Sequence, residues 1–209
     1  MTTMISKRHV RHFAERSNQD LKQTEASNQS LKLFEENGFK IHHFGLDSRG
    51  GQHPLHYHVL RSPSGDIIAT LAEGKSWNMK VDNIQLATRF EDGTWIKTIN
   101  TILASEIDLT GISTEALYAS HTPVDLLRRH RNRMERECRG RAILSYDEQS
   151  PLLDYFGDVK RKTDLLVSKG LARYRDDEKT IWSYTFFGSL KFMFWTTLQN
   201  LKREVIEDR

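Results

Sequence analysis

The stretch Gly50 to Leu60, GGQHPLHYHVL, carries three histidines in six positions: His53, His56 and His58. On a β-strand, His56 and His58 project from one face about 7 Å apart along the backbone, a spacing at which two imidazoles can share a zinc or iron ion. Such a centre needs at least a third nitrogen, sulfur or carboxylate converging on the same point. His53 precedes Pro54 and can fold back, and His42 or His43 can arrive from a neighbouring strand. The next acidic residues are as far away as Asp66 and Glu73. One expectation is therefore a metal-dependent enzyme centred on His53, His56 and His58. The competing reading is an ordinary strand, with Leu55, Tyr57 and Val59 toward the core and His56 and His58 toward water or a covering helix. The second reading is preferred, and no cofactor is expected.

Cationic chemistry is concentrated further on. Arg128, Arg129, Arg131, Arg133, Arg136, Arg139 and Arg141 face only Asp125, Glu135 and Glu137 in HTPVDLLRRHRNRMERECRGR, so seven less three leaves +4. A helix here puts Val124, Leu127, Met134 and Cys138 on one stripe, interrupted at Arg131, and leaves the other side in solvent. Pairs such as Arg131–Glu135, Arg133–Glu137 and Glu135–Arg139 are four apart and neutralise part of the charge. Arg128, Arg129, Arg133 and Arg136 are the candidate contacts with an anionic surface, joined by Lys191, Lys202 and Arg203 near the C-terminus. Phosphate is the chemistry they suit, in lipid headgroups or nucleic acid.

The third constellation is aromatic. Trp182, Tyr184, Phe186, Phe187, Phe192, Phe194 and Trp195 crowd the fourteen positions 182–195. Lys191 and the nearby Ser, Thr, Asn and Gln residues keep the segment short of the roughly 20 apolar residues a membrane span needs. Leu190, Phe194, Leu198, Leu201 and Val205 recur at helical spacing and are expected to pack on the core. Phe192 and Trp195 fall off that stripe, which makes them the candidate contacts with a partner protein or membrane. Just upstream, TDLLVSKGLARYRDDEKTIWSYTFFG resembles the end of a winged-helix DNA-binding domain. That resemblance implies Lys160, Arg161 and Lys162 toward a major groove and Arg173 and Arg175 on the wing. It requires a break at Gly157; a single helix from Pro151 to Lys169 is preferred, so nucleic acid is the lesser partner. No GxSxG, no Gly-rich phosphate loop before a helix and no HExxH is present, so no enzyme class is nominated.

The elements that must carry these groups read as α+β. Residues 1–29 are rich in Ser, Asn, Gln and Thr and are expected to form a flexible polar tail. Residues 30–209 then form one domain. A short helix ends at Gly38, and alternation with a period of two over 39–120 predicts an antiparallel meander of five or six strands. Asp92-Gly93 predicts a two-residue type I′ hairpin, and the strand after it reads as covered on both faces, with Ile96 opposite Trp95 and Ile99. From Thr122 to residue 209 the pattern is helical, with Thr122–Pro123 and Ser150–Pro151 as starts and Gly140 and Gly170 as stops. These helices are expected to cover one face of the sheet. A small hairpin crosses DDEK, and RAILSY reads as a strand.

At 209 residues with 37% hydrophobic and 28% charged residues, the chain can bury a full core without disulfide staples. Its single cysteine, Cys138, and the lack of an apolar run behind MTTMISKRHVRHFAER suit a cytoplasmic protein. The segments NGFK, SPSGDIIATLAE, LATRFEDGTW, TPVDLLRRHRNRM and YTFFGSLKF together resemble an uncharacterised bacterial α+β family with L-x-T-R-[FY]-x-D-G-T, P-x-x-L-L-x-x-H and T-x-x-G motifs. The resemblance implies one compact α+β unit and no activity, because its motifs are turn and cap chemistry. The functional expectation is a non-enzymatic cytoplasmic binding module, associating with an anionic membrane surface or a protein partner through the basic helix and the aromatic C-terminal helix.

Overall fold

The computed structural model of the protein describes residues 8–9, 13–15, 25–47, 55–76, 79–100, 112–117, 120–138, 140–149, 151–177, 179 and 181–207. In chain order the elements are β1 (Arg8–His9), β2 (Phe13–Glu15), α1 (Glu25–Glu36), β3 (Lys40–Asp47), β4 (Leu55–Arg61), β5 (Ile68–Ser76), β6 (Met79–Arg89) and β7 (Trp95–Asn100). They continue with β8 (Ile112–Leu117), α2 (Pro123–Cys138), α3 (Pro151–Ser168), β9 (Ala172–Tyr174), β10 (Ile181–Tyr184) and α4 (Phe186–Glu207).

The fold is α+β with a mostly antiparallel sheet. Strands β2 to β8 form seven neighbours in sequence order. Every pair is antiparallel except the last: β8 runs parallel to β7, with Trp95 opposite Ile112 and Asn100 opposite Leu117. A second sheet orders β1, β10 and β9, and its β9–β10 pair is the hairpin expected across DDEK. Two short pieces of the N-terminal segment read as a tail are paired: β1 lies along β10 and β2 along β3. Open strand edges offer unpaired N–H and C=O groups, and pairing there overrides a polar local composition.

Local chemistry explains most boundaries. Thr122 Oγ1 accepts the Asp125 backbone N–H at 3.2 Å and starts α2, as a capping hydroxyl should. The same hydroxyl donates to the Asp125 carboxylate at 2.8 Å; this bond, ahead of the neighbouring Arg128, holds that carboxyl below its usual range. α1, α2 and α3 are each followed by a glycine at positive φ: Gly38, Gly140 and Gly170. α3 runs unbroken through Gly157, so the two-helix arrangement that the winged motif requires is absent. The β6–β7 turn departs from type I′. Only Gly93 has positive φ; the Gly93 N–H bonds to the Phe90 carbonyl and the Phe90 N–H to the Thr94 carbonyl. This is a three-residue loop closed by a left-handed glycine, with Asp92 accepting the Thr94 N–H at 2.9 Å. RAILSY contributes only an isolated bridge, Ile143 to Phe90.

Strand alternation divides the sheet into two dressed faces. Ile84, Leu86, Phe90 and Ile96 join Leu31 and Phe34 of α1 and Leu126, Leu127 and Met134 of α2 in the main core. On the opposite face, Trp95 and Ile112 join Leu166 of α3, Leu171, Ala172 and the partly buried Trp182, Tyr184 and Phe192 in a second core. The helices after Thr122 therefore cover both faces rather than one, with α2 on the first side and α3 on the second, and β7 is enclosed on both as its doubly apolar pattern implies.

Candidate functional site

Of the histidine cluster, only the His58 side chain lies among the described residues. His58 is 1% exposed on the face of Leu60, in register with Phe44 on β3 and Leu71 on β5. Its row across the sheet is thus apolar on either side. His56 stands in register with Leu46 and Glu73; its side chain and all of His53 lie outside the described residues. Among the described residues, no group of three or more His, Cys, Asp or Glu is placed to hold a metal ion.

The arginine-rich helix presents a different side from the one expected. The residues α2 buries are Leu126, Leu127, His130, Arg133 and Met134. The polar break in its stripe is therefore His130 and Arg133; Arg131 is exposed, and Val124 is 48% exposed. Arg133, a candidate surface contact, is 3% exposed and used internally. Its guanidinium donates to the Lys97 carbonyl, to Thr98 Oγ1 at 3.2 Å and to Ser113 Oγ at 2.8 Å. It also pairs with Glu137 at 3.0 Å and lies 3.7 Å from Glu115. Arg129 is one-third exposed and 3.9 Å from Glu115. Arg128 is mostly exposed and paired with Asp125 at 2.9 Å, and Arg136 is exposed.

His130, missed in the sequence, sits between Thr88 Oγ1 at 3.0 Å from its Nε2 and Thr98 Oγ1 at 3.0 Å from its Nδ1. The Thr88 hydroxyl has one proton, which goes to the Asp66 carbonyl at 2.8 Å; Thr88 must then accept from His130 Nε2–H. With Nε2 carrying the proton, Nδ1 of the neutral imidazole accepts from the Thr98 hydroxyl, which accepts in turn from Arg133. In this tautomer the bonds run in one direction, from Arg133 through Thr98, His130 and Thr88 to the Asp66 carbonyl, and they suit a neutral imidazole. Burial, aided by the Arg133 charge, pushes the His130 pKa down to about 3. This network pins α2 to β6, β7 and β8.

The opposite face has its own clamp. Arg89 is 8% exposed and donates to the Leu144 and Ser145 carbonyls and to Asp154 at 2.6 Å. It also lies 4.5 Å from the centre of the Tyr146 ring. Asp158, 3.9 Å from Arg89, has its carboxyl pushed up by burial against the pull of Arg89, Arg161 and Lys97. Thr88, Arg89 and Asp92 of the LATRFEDGTW segment thus fasten α2, α3 and the β6–β7 turn. These are structural tasks.

What remains is α4. Thr185 caps it: its Oγ1 accepts the Gly188 N–H at 3.1 Å and donates to the Gly170 carbonyl at 2.8 Å, and its own N–H bonds to the Leu171 carbonyl. A Cβ at Gly188 would overlap the Leu171 carbonyl oxygen, so glycine alone allows this approach. The inward side of the helix follows from that contact. Phe192 stacks on Tyr184 at 5.3 Å and joins the second core, and Trp195 is half-buried. Neither is the free ring expected. The expected core stripe faces outward instead: Leu190 is 48%, Phe194 67% and Leu201 55% exposed, alongside Phe186 and Phe187 at 74% and Met193 at 65%. At 100° per residue these six side chains span only about 120° of the helix. Lys191 is exposed and falls at the border of that face. Lys202 and Arg203 continue the helix as positions, their side chains lying outside the described residues.

Because α2 packs on one side of the sheet and α4 on the other, the basic helix and the aromatic helix do not share a surface. No described helix is long and apolar enough to cross a membrane. Compared with known proteins, the chain matches no family model, no curated sequence and no solved structure.

Proposed function

We propose that this protein is a non-enzymatic binding module whose working surface is the outward face of α4. The observation that carries the reading is the exposure of Phe186, Phe187, Met193 and Phe194, each at least 65% open on one side of one helix. Single exposed apolar residues are ordinary, but a contiguous set of large ones marks a surface that something else covers. The capped, glycine-fitted start of α4 holds that face rigidly outward, so it is presented before any partner arrives. We place the module in the cytoplasm, where a lone thiol such as Cys138 stays reduced.

The face can be tested without knowing the partner. The chain is expected to bind phenyl resin and to brighten an apolar-surface dye. A Phe187→Ser, Phe194→Ser double variant should do neither, while its free energy of unfolding stays within about 0.5 kcal/mol of the parent, as surface changes do. A parent chain that passes through the resin unretained and leaves the dye dark would overturn the reading.

A further inference from the structure

We propose that the outward face of α4 lies in the interfacial layer of an anionic bilayer leaflet. The inference rests on α4 being the docking face and names what covers it. Charge is the discriminating observation. From Phe186 to Arg203 the helix contains Lys191, Lys202 and Arg203 and no acidic residue. The surrounding segment, Lys160 to Arg203, holds ten Lys or Arg against four Asp or Glu, so ten less four leaves +6, although the whole chain carries only +3. The apolar face thus sits in a net-positive part of the chain. Lys160, Arg161, Arg173, Arg175, Lys179 and Lys191 are all exposed in it.

Phosphate headgroups complement that field, while the hydrocarbon boundary complements the rings. A helix with large apolar residues on one side and lysine at the border lies flat in such a layer. Its 22 residues extend about 33 Å, long enough for several turns to rest on the surface without crossing it. A second copy fits less well. Two parallel α4 helices brought face to face would set Lys191 beside Lys191, although Glu204 and Glu207 follow at the end of the helix. Each exposed basic residue near an anionic leaflet adds attraction that falls off within a Debye length, so binding should weaken with salt.

The experiment is flotation of the full chain with two vesicle types, phosphatidylcholine alone and phosphatidylcholine with about 30% phosphatidylserine, beside sedimentation without vesicles. The parent is expected to float with the anionic vesicles at least tenfold more than with the neutral ones. The Phe187→Ser, Phe194→Ser variant should lose tenfold or more of that binding, Lys191→Glu several-fold, and both should melt like the parent. Retention on phenyl resin without flotation on anionic vesicles overturns the bilayer and leaves the docking face standing. Flotation that is equal on neutral vesicles overturns the anionic requirement. A dimer in sedimentation that the double serine variant abolishes assigns the face to a second copy and overturns the bilayer as well. Failure of both retention and flotation removes the docking face itself.

Discussion

Substituting Arg133 by methionine is expected to lower the free energy of unfolding by about 3 kcal/mol, the low end of what removing one partner of a buried ion pair costs. Methionine keeps most of the length and apolar volume, so the loss isolates the guanidinium. Four acceptors on two strands lose a donor: the Lys97 carbonyl, Thr98 Oγ1, and the carbonyl and Oγ of Ser113. Glu137 loses this cation and Glu115 keeps only Arg129 at 3.9 Å, but their side chains are 32% and 20% exposed, so water recovers part of their solvation and keeps the effect from the high end. Arg133→Lys should fall between, because an ammonium cannot reach both β7 and β8 as a planar fork does. Arg136→Ala, on the exposed side of the same helix, should stay within about 0.5 kcal/mol. Urea midpoints of the three variants give the comparison. Equal, small shifts would mean that Arg133 is a surface cation after all.

The second large effect is acid sensitivity through His130. The unfolded imidazole titrates at the ordinary 6.5 and the folded one at about 3. Above pH 6.5 both states are neutral and the full contribution of His130 is present. As pH falls below 6.5 the unfolded chain takes up a proton that the folded chain refuses, so stability is lost progressively until about pH 3. The loss is on the order of 4 kcal/mol. His42, lowered by burial and by Arg61, acts with the same sign. Asp92, Asp125 and Asp164 are held below the usual carboxylate value chiefly by side-chain hydrogen bonds from Thr94, Thr122 and Tyr174, and they act only at lower pH. Asp158, raised by burial, opposes them. A His130→Gln variant keeps a donor and an acceptor between the two threonines and has no proton to gain. Its urea midpoint should decline much less from pH 6.5 to 4 than that of the parent, with the remaining slope left to groups such as His42. Parallel slopes would contradict a neutral, buried His130.

Both effects concern groups whose roles were only half legible in the sequence, for a physical reason. The caps and stops of α2 and α3 are set by neighbours within four residues, and Thr122, Pro123, Gly140 and Gly170 announced them. The closing glycine of the β6–β7 hairpin was legible for the same reason, though not its loop length. The burial of Arg133 was not. Its partners Lys97, Thr98, Ser113 and Glu115 arrive from β7 and β8, and the parallel pairing that brings β8 there has no local signature. His130 did leave a trace, since it sits four residues after Leu126 and three before Arg133, on the side that α2 buries.

α4 shows the same limit. Apolar residues lie on both its sides, so periodicity alone cannot say which side packs. The leucine stripe looked like the inner one. Gly188 decides the matter by letting the helix backbone meet the Leu171 carbonyl, which turns Phe192 and Trp195 inward and Leu190, Phe194 and Leu201 outward. A glycine four residues before Phe192 and seven before Trp195, on the same side of the helix, was the signal available in the sequence.

Hydroxyl-radical footprinting of α4 tests that orientation most directly, because Met193 and the Phe187 and Phe194 rings react in proportion to their exposure. In the free monomer these three should label rapidly while Phe192 labels slowly, and anionic vesicles should protect the first three. Slow labelling of Met193, Phe187 and Phe194 in the monomer, with fast labelling of Phe192, would contradict the outward face and the docking function built on it.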